Sequence, residues 1–344
     1  MPATVNNYYF TQRNKEKKEY KNNYIGRKSV MQGISIIIPN YKGKNILEKS
    51  LPSIVSACDS YDGESEIIIV EDGGDDETAE LLKGKYSKIG YYKLNENHGF
   101  GYTCNYGVAK SKFDIVVCLN NDVVVDKNFL KYLPEHFSEK DVFAVKIATK
   151  SIGDREKIKE DYILWRYLEF RNGWIYTPFK EIAKRDIQMK YTKNVAGCAA
   201  AFLKAKYLKL KGFDDLFLPF YSEETDLCYR ALKRGWKIIY EPRSVVLHKE
   251  HETISKYFSR NMVEMVGERN MYYLIWKNIS SKKYLFQHIL FIPIRIIKGM
   301  LKGRVWPLLA FLKALHHLPK IFKARHVEIR EIVRKDEEIF DCLE

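Results

Sequence analysis

Four polar clusters interrupt the apolar runs of this chain: Asn40-Tyr41, Glu71-Asp72, Asn120-Asn121-Asp122 and Glu223-Glu224. The first three follow short, β-branched stretches, Ile34–Ile38, Ile67–Val70 and Ile115–Leu119, which read as strands buried on both faces. The sharpest break is at Asn120, because apolar residues resume at once at Val123. A carboxylate at the carboxyl end of a buried strand in an open α/β sheet lies at the rim where such sheets bind ligands. Asn and Asp are also common strand-ending turn residues, so position alone leaves both readings open. Glu223 and Glu224 precede a helical stretch, Thr225–Lys233, and the helix macrodipole favours acidic residues there whatever their chemistry. Asp226 and Arg230, four apart on that stretch, have the spacing of an intrahelical ion pair.

Something must bring these clusters together. Helical stretches at Asn45–Cys58, Thr78–Tyr86 and Gly101–Ser111 alternate with the three strands and with a further one at Tyr91–Leu94. That alternation predicts βαβ units, a parallel sheet and right-handed crossovers. The fold class is therefore α/β, with Asn40, Tyr41, Glu71, Asp72 and Asp122 converging on one rim.

Length and composition bound the rest. The 344 residues are 46% hydrophobic and 14% aromatic, enough for a large core and incompatible with global disorder. The six cysteines are scattered without a Cys-x-x-Cys pair, which suggests neither a disulfide framework nor a zinc cluster and fits a reducing, cytoplasmic compartment. Residues 1–32 read as a basic, polar leader without the apolar region of a signal peptide. Residues 33–254 hold the α/β domain and 255–344 a helical, basic region.

The clusters also sit inside longer motifs. Ser35-Ile-Ile-Ile-Pro39-Asn40-Tyr41, Val70-Glu71-Asp72-Gly73-Gly74, Asn97-x-Gly99-Phe-Gly101 with Asn105 and Gly107, Leu119-Asn120-x-Asp122, Gly197-Cys-Ala-Ala-Ala, Gly212-Phe-Asp-Asp, Glu223-Glu224-x-Asp226-Leu227 and Val246-Leu-His248 occur in the order found in the family 2 glycosyltransferases. The chain resembles that family from about Ile34 to Lys277, and most closely its rhamnosyltransferase-like subgroup. The resemblance implies a GT-A fold and an inverting transfer of a sugar from a nucleotide diphosphate, dTDP-rhamnose or a UDP-sugar, to a lipid-linked or cell-surface glycan. Asp122 matches the acid that holds Mn²⁺ or Mg²⁺ against the diphosphate, with Asn120 in place of the usual first acid; hard cations of this kind take oxygen ligands. His248 matches a position that can add a nitrogen ligand, and packing of a lone His is the equal alternative. Pro39, Asn40, Tyr41, Glu71, Asp72, Asn97, Gly99, Asn105, Asn120 and Asn121 match the nucleotide-sugar-binding positions, Glu71 being one methylene longer than the family's Asp. Glu224 stands at the catalytic base, with Glu223 and Asp226 as acceptor-contacting or supporting residues. A catalytically inactive nucleotide- or glycan-binding module is the alternative, motivated by Asn120 and the Asp→Glu changes.

The tail adds a partner. From Arg269 to Val327 there are twelve Lys or Arg and no acidic residue. Tyr257–Asn278, Tyr284–Leu301 and Val305–Phe322 read as helices, the latter two amphipathic with basic faces, as in segments that lie at a membrane interface. No nucleic-acid-binding motif accompanies the charge, so an anionic membrane surface is the expected partner rather than nucleic acid. A helical hairpin packed on the α/β domain is the alternative. The longest charge-free run there, about eleven residues, is too short to span a bilayer.

Overall fold

The computed structural model describes residues 32–74, 77–84, 86–151, 162–183, 191–248 and 258–341. The basic leader (apart from Gln32), Asp75, Asp76, the start of the helix expected from Tyr257 and Cys342 lie outside the described residues.

The chain builds β1 (Ile34–Asn40), α1 (Lys44–Asp59), β2 (Ser65–Glu71), α2 (Thr78–Leu82), β3 (Gly90–Lys93), α3 (Phe100–Lys110), β4 (Ile115–Leu119) and β5 (Val123–Val125). There follow β6 (Val142–Ser151), β7 (Tyr162–Arg166), β8 (Glu169–Arg171), β9 (Trp174–Tyr176), β10 (Phe179–Ala183), β11 (Tyr191–Thr192), β12 (Ala199–Leu203), α4 (Lys204–Lys209), α5 (Glu223–Lys233) and β13 (Lys237–His248). Five helices close the described chain: α6 (Arg260–Asn278), α7 (Lys282–Leu301), α8 (Trp306–His316), α9 (Leu318–Ile329) and α10 (Asp336–Asp341).

One large sheet has the order β11-β13-β6-β12-β4-β1-β2-β3, with β5 on β13. Its β4-β1-β2-β3 half is parallel, as the alternation of strands and helices requires. The other half is mixed, because β12 runs antiparallel to both β4 and β6. Apolar residues fill both faces: Ile37, Val116 and Phe202 on one, Ile36, Val117 and Ala201 on the other. Burial on both sides is why these strands are continuously apolar instead of alternating.

Several elements differ from expectation. Val142–Ser151, which the alternation of strands and helices did not predict, is an inner strand. Pro242 falls within β13, where the register with β6 shifts between Glu241 and Val245; proline in a sheet is confined to such irregularities. α5 begins at Glu223, two residues earlier than its expected start, so the acidic pair lies in its first turn. The expected single helix Val305–Phe322 is two, divided at His317, with proline in the first turn of the second, where it costs no hydrogen bond.

The last helices are bonded into the α/β domain. Asp336 is 0% exposed and accepts hydrogen bonds from Tyr229 Oη (2.5 Å) and Lys233 Nζ (2.7 Å) on α5 and from Ser280 and Ser281 N–H. Phe170 of β8 packs on Tyr284 and Phe340 (ring centroids 4.6 and 5.6 Å), and Trp174 on Tyr272 (5.0 Å). These aromatics form core between the β8–β9 hairpin and the C-terminal helices. The side chains of Trp165 and Phe179 lie outside the described set.

Candidate active site

The strand tips meet as the topology demands. Asn40, at the end of β1, donates from Nδ2 to Glu71 Oε2 (2.5 Å) and lies 3.3 Å from Thr78 Oγ1. Its Oδ1 accepts from Asn121 Nδ2 (2.6 Å), so one amide ties together the tips of β1, β2 and β4. Glu71 is 1% exposed, and its Oε1 accepts from the Lys42 N–H at 3.1 Å. Gly43 makes the close approach possible, since a Cβ there would stand 2.3 Å from Asn40 Oδ1 and 2.4 Å from Asn121 Nδ2. Pro39 is half-buried in β1 opposite Val70, and Tyr41 is half-buried just beyond the strand.

Asp72 faces the next loop. Its carboxylate accepts the N–H groups of His98 (2.7 Å) and Gly99 (2.8 Å), immediately before α3. A negative charge at a helix N-terminus is favoured, and it orders the turn there. Gly99 has φ +83° and a Cβ on it would meet Leu218 Cδ2 at 2.7 Å, so both backbone and space require glycine. Asn97 is exposed on the same loop. Asn105 is placed differently, on α3, with its amide used internally: Nδ2 donates to Phe213 O (2.8 Å) and Oδ1 accepts from Tyr207 Oη (2.7 Å) and Phe213 N (3.0 Å).

Asp122 and His248 are brought together by the pairing of β5 with the end of β13, where His248 stands opposite Val123. His248 Nε2 lies 3.3 Å from Asp122 Oδ1, without hydrogen-bond geometry. Asp122 Oδ1 and Asn120 Oδ1 are both buried without a hydrogen-bond partner. Buried polar atoms are rarely left so, and two orphaned oxygens on the turn after β4, one of them 3.3 Å from an imidazole nitrogen, suit a hard divalent cation. A second trio, Glu135, His136 and Glu241, also brings ligand atoms within 4.8 Å. Arg243 occupies it, bonding Glu241 from N and Nε (both 2.8 Å) and stacking over Tyr132. Burial alone would raise the Glu241 carboxyl, but hydrogen bonds from Arg243 and His136 bring it down to about 2. A guanidinium in that position excludes a cation on charge grounds.

Glu224 reaches the same rim through a short chain of neighbours. Its carboxyl carbon lies 3.8 Å from where a Cβ on Gly197 would stand, and the adjacent Cys198 carbonyl accepts from the Asn120 N–H at 2.9 Å. Asn194 Nδ2 donates to Thr225 Oγ1 (3.0 Å), fixing the start of α5 to the same connection. Glu223 Oε2 is buried without a partner. Burial, then the charge of Glu224, pushes the Glu223 carboxyl well above its usual range. A raised acid costs stability once the pH passes its ordinary value, so burial favours Glu223 as the neutral acid.

The turn that presents this pair is strained and clasped. Tyr221 (φ 75°) and Ser222 (φ 73°) both occupy the left-handed region that side chains rarely adopt. Asn270 of α6, 0% exposed, holds its amide nitrogen 2.7, 2.9 and 2.8 Å from the carbonyls of Phe217, Phe220 and Tyr221. No motif or spacing in the sequence pointed to this clasp. The available signal was a polar residue in a helix otherwise rich in large apolar side chains.

Asp226 turns away from the rim into the protein. It is 0% exposed and accepts from Arg230 Nε (2.7 Å), Lys277 Nζ (2.9 Å) and Asn278 Nδ2 (2.8 Å), so the expected i,i+4 pair belongs to a larger network between α5 and α6. Lys277 also bonds Asp214 at 2.6 Å. Removing one partner of a buried ion cluster leaves uncompensated charge, at about 3–5 kcal/mol. Asp226→Asn should therefore lower unfolding free energy in denaturant by about that amount; a loss under about 1 kcal/mol would leave Asp226 without this supporting role.

The family profile described as glycosyl transferase family 2 matches residues 35–208, about half of the chain. The chain belongs to that family. Its glycosyltransferase fold agrees with solved structures: it has a TM-score of 0.54 with Staphylococcus aureus TarS 1-349 in complex with UDP-GlcNAc, at 14% identity, covering 87% of this chain and 88% of that one. Against GalNAc-T7 with UDP, GalNAc and Mn²⁺ the TM-score is 0.55 at 15% identity, covering 72% of this chain and 48% of that one. These likenesses confirm the GT-A fold. The poly-β-1,6-N-acetyl-D-glucosamine synthase of S. aureus strain MSSA476 is 23% identical over 227 residues, 65% of this chain and 52% of that protein. The glycosyltransferase chain thus spans about half the length of that curated relative.

Proposed function

We propose that this family 2 glycosyltransferase moves one sugar, with inversion, from a pyrimidine nucleoside diphosphate to a lipid-linked or cell-surface glycan. The observation that carries the reading is the approach of the Glu224 carboxylate to the Asn120–Asp122 rim through Gly197 and Cys198. Inverting transfer needs one carboxylate to take the acceptor hydroxyl's proton, and no second nucleophilic carboxylate. Glu71 accepts the N3–H of a uracil or thymine base, a charge-assisted bond. Asn40 and Asn121 fix that carboxylate, and the Asp72-braced loop at Asn97–Gly99 lies along the donor. Asp122, His248 and Asn120 hold a divalent cation, Mn²⁺ or Mg²⁺, which when bound neutralises charge on the leaving diphosphate. Asp226 and Asn105 support the elements around the site.

Relatives solved with UDP-GlcNAc or UDP support a UDP-sugar. The rhamnosyltransferase-like motifs support dTDP-rhamnose, whose base offers the same N3–H. A panel of nucleotide-sugars scored by protection against thermal unfolding separates them: at 100 times its Kd the true donor should add about 2.7 kcal/mol. Protection by no uracil or thymine nucleotide would remove the role given to Glu71. Protection without turnover on any acceptor would favour the inactive binding module that Asn120 suggests. We place the enzyme on an anionic cytoplasmic membrane face, with residues 255–344 as the helical, basic region that reaches it and residues 33–254 as the catalytic domain.

A further inference from the structure

α7 shows water a continuous apolar stripe. Phe286 (65% exposed), Ile289 (64%), Ile297 (55%) and Leu301 (81%) recur at helical spacing along one side, with Leu290, Ile294 and Met300 beside them. On α8, Leu309 and Leu312 are exposed while Ala310 and Ala314 are buried, so this helix too turns its larger apolar residues outward. The sequence had suggested basic faces as the contact surface. Arg295 is in fact drawn inward, ion-paired to Glu268 and 3.9 Å above the Trp174 ring. Exposed apolar surface on this scale marks a docking face.

We propose that the α7–α8 face is a wedge that inserts into the interfacial layer of a lipid bilayer, so that burial of apolar side chains, not attraction of charge, holds the enzyme there. The proposal rests on the membrane reading above and changes its physical basis. Charge selects the occupant: Lys282 and Lys283 begin α7, Lys298, Lys302 and Arg304 end it, and no acidic residue lies between Arg269 and Val327. A second copy meeting this face about a two-fold axis would set lysines against lysines. Lipid phosphates complement that fringe, and acyl chains complement what it encloses. By length and composition alone, the 20 residues of α7, with mean hydropathy 1.3, suffice to cross a membrane, contrary to what the short charge-free run suggested. Its other face, however, is fastened along the protein. His288 Nδ1 bonds Gly173 O (2.6 Å), Trp276 Nε1 donates to His288 Nε2 (2.9 Å), and Arg295 binds Glu268 two turns later. The helix therefore lies in the interface with one side on the catalytic domain.

The test is flotation of the full chain with vesicles of neutral phosphatidylcholine and with the same vesicles carrying anionic lipid, at low and high salt. Both should bind, and binding to the neutral vesicles should survive high salt. The triple variant Phe286→Gln, Ile289→Gln, Ile297→Gln should bind at least about ten-fold more weakly to both, since each removes an apolar side chain from the buried layer. Its thermal protection by nucleotide-sugar should stay unchanged, showing that the fold is intact. Lys298→Gln with Lys302→Gln should reduce only the extra affinity for anionic vesicles. Binding that requires anionic lipid, vanishes in salt and ignores the triple variant would overturn insertion and leave charge-driven attachment standing. No binding to any vesicle would overturn both. A dimer in solution that the triple variant dissociates would assign the face to a second copy, and resistance to alkaline carbonate extraction would make α7 a span.

Discussion

Glu224→Gln should lower the rate of sugar transfer by about 10²- to 10⁴-fold, the usual contribution of a general base. The amide keeps the shape against Gly197 and removes the group that takes the proton. Donor affinity should survive, because the proposed reading assigns the base and diphosphate contacts to Glu71, Asn40 and the Asn120–Asp122 rim. Glu224→Asp should keep part of the activity, its carboxylate being a methylene short of the acceptor. Glu223→Gln is the control: its carboxyl is favoured as the neutral acid, which an amide imitates, so its effect should be much smaller. Normal turnover by Glu224→Gln with loss in Glu223→Gln would move the base one residue back. Single-turnover assays with saturating donor separate these outcomes from changes in binding.

Asp122→Ala should lower transfer by about 10²- to 10³-fold, the scale seen when a group stabilising charge in the transition state is removed. The orphaned Oδ1 of Asp122 has no protein hydrogen bond to lose, so folding stability should change little or rise in the absence of metal. That combination distinguishes a ligand from a strand-ending turn residue, whose removal would destabilise the tip of β4. EDTA should abolish transfer by the unmodified enzyme, and Mn²⁺ or Mg²⁺ should restore it. Thermal protection by Mn²⁺ in the presence of UDP should be present in the parent and absent in Asp122→Ala. Full activity in EDTA would remove the metal from the reaction.

The parallel half of the fold was legible because strands buried on both faces leave unbroken apolar runs, and because each ended in a polar tip. Ile115–Leu119 before Asn120 is the clearest case. β6 was not legible: Val142–Ser151 contains Lys146, Thr149 and Lys150 and follows only a short 3-10 turn at Pro134–Ser138, so neither periodicity nor alternation marked it. Spacing gave the Asp226–Arg230 pair, whereas its links to Lys277 and Asn278 depend on how α6 lies against α5, which no local pattern encodes. The amphipathic tail was recognised, but its polarity was misjudged. Lysines suggested an outward basic face, while aromatic packing beneath α7 turns the apolar stripe to water. The Asn270 clasp escaped for the same reason, since its partners are backbone carbonyls of Phe217, Phe220 and Tyr221, invisible in side-chain identity.

The bond between Lys233 and Asp336 joins positions 103 apart, and that between Tyr229 and Asp336 joins positions 107 apart. A ribosome adds about 5–20 residues each second, so α5 is made about 5–20 s before the carboxylate that neutralises its buried ammonium exists. Throughout that interval Lys233 has no such counter-charge to be buried with, and α5 is held short of its final seat. Helices α7 and α8 are made within the same interval. The order of synthesis therefore lets α7 and α8 emerge before the Lys233–Asp336 pair can form, and makes the final seating of α5 the later event.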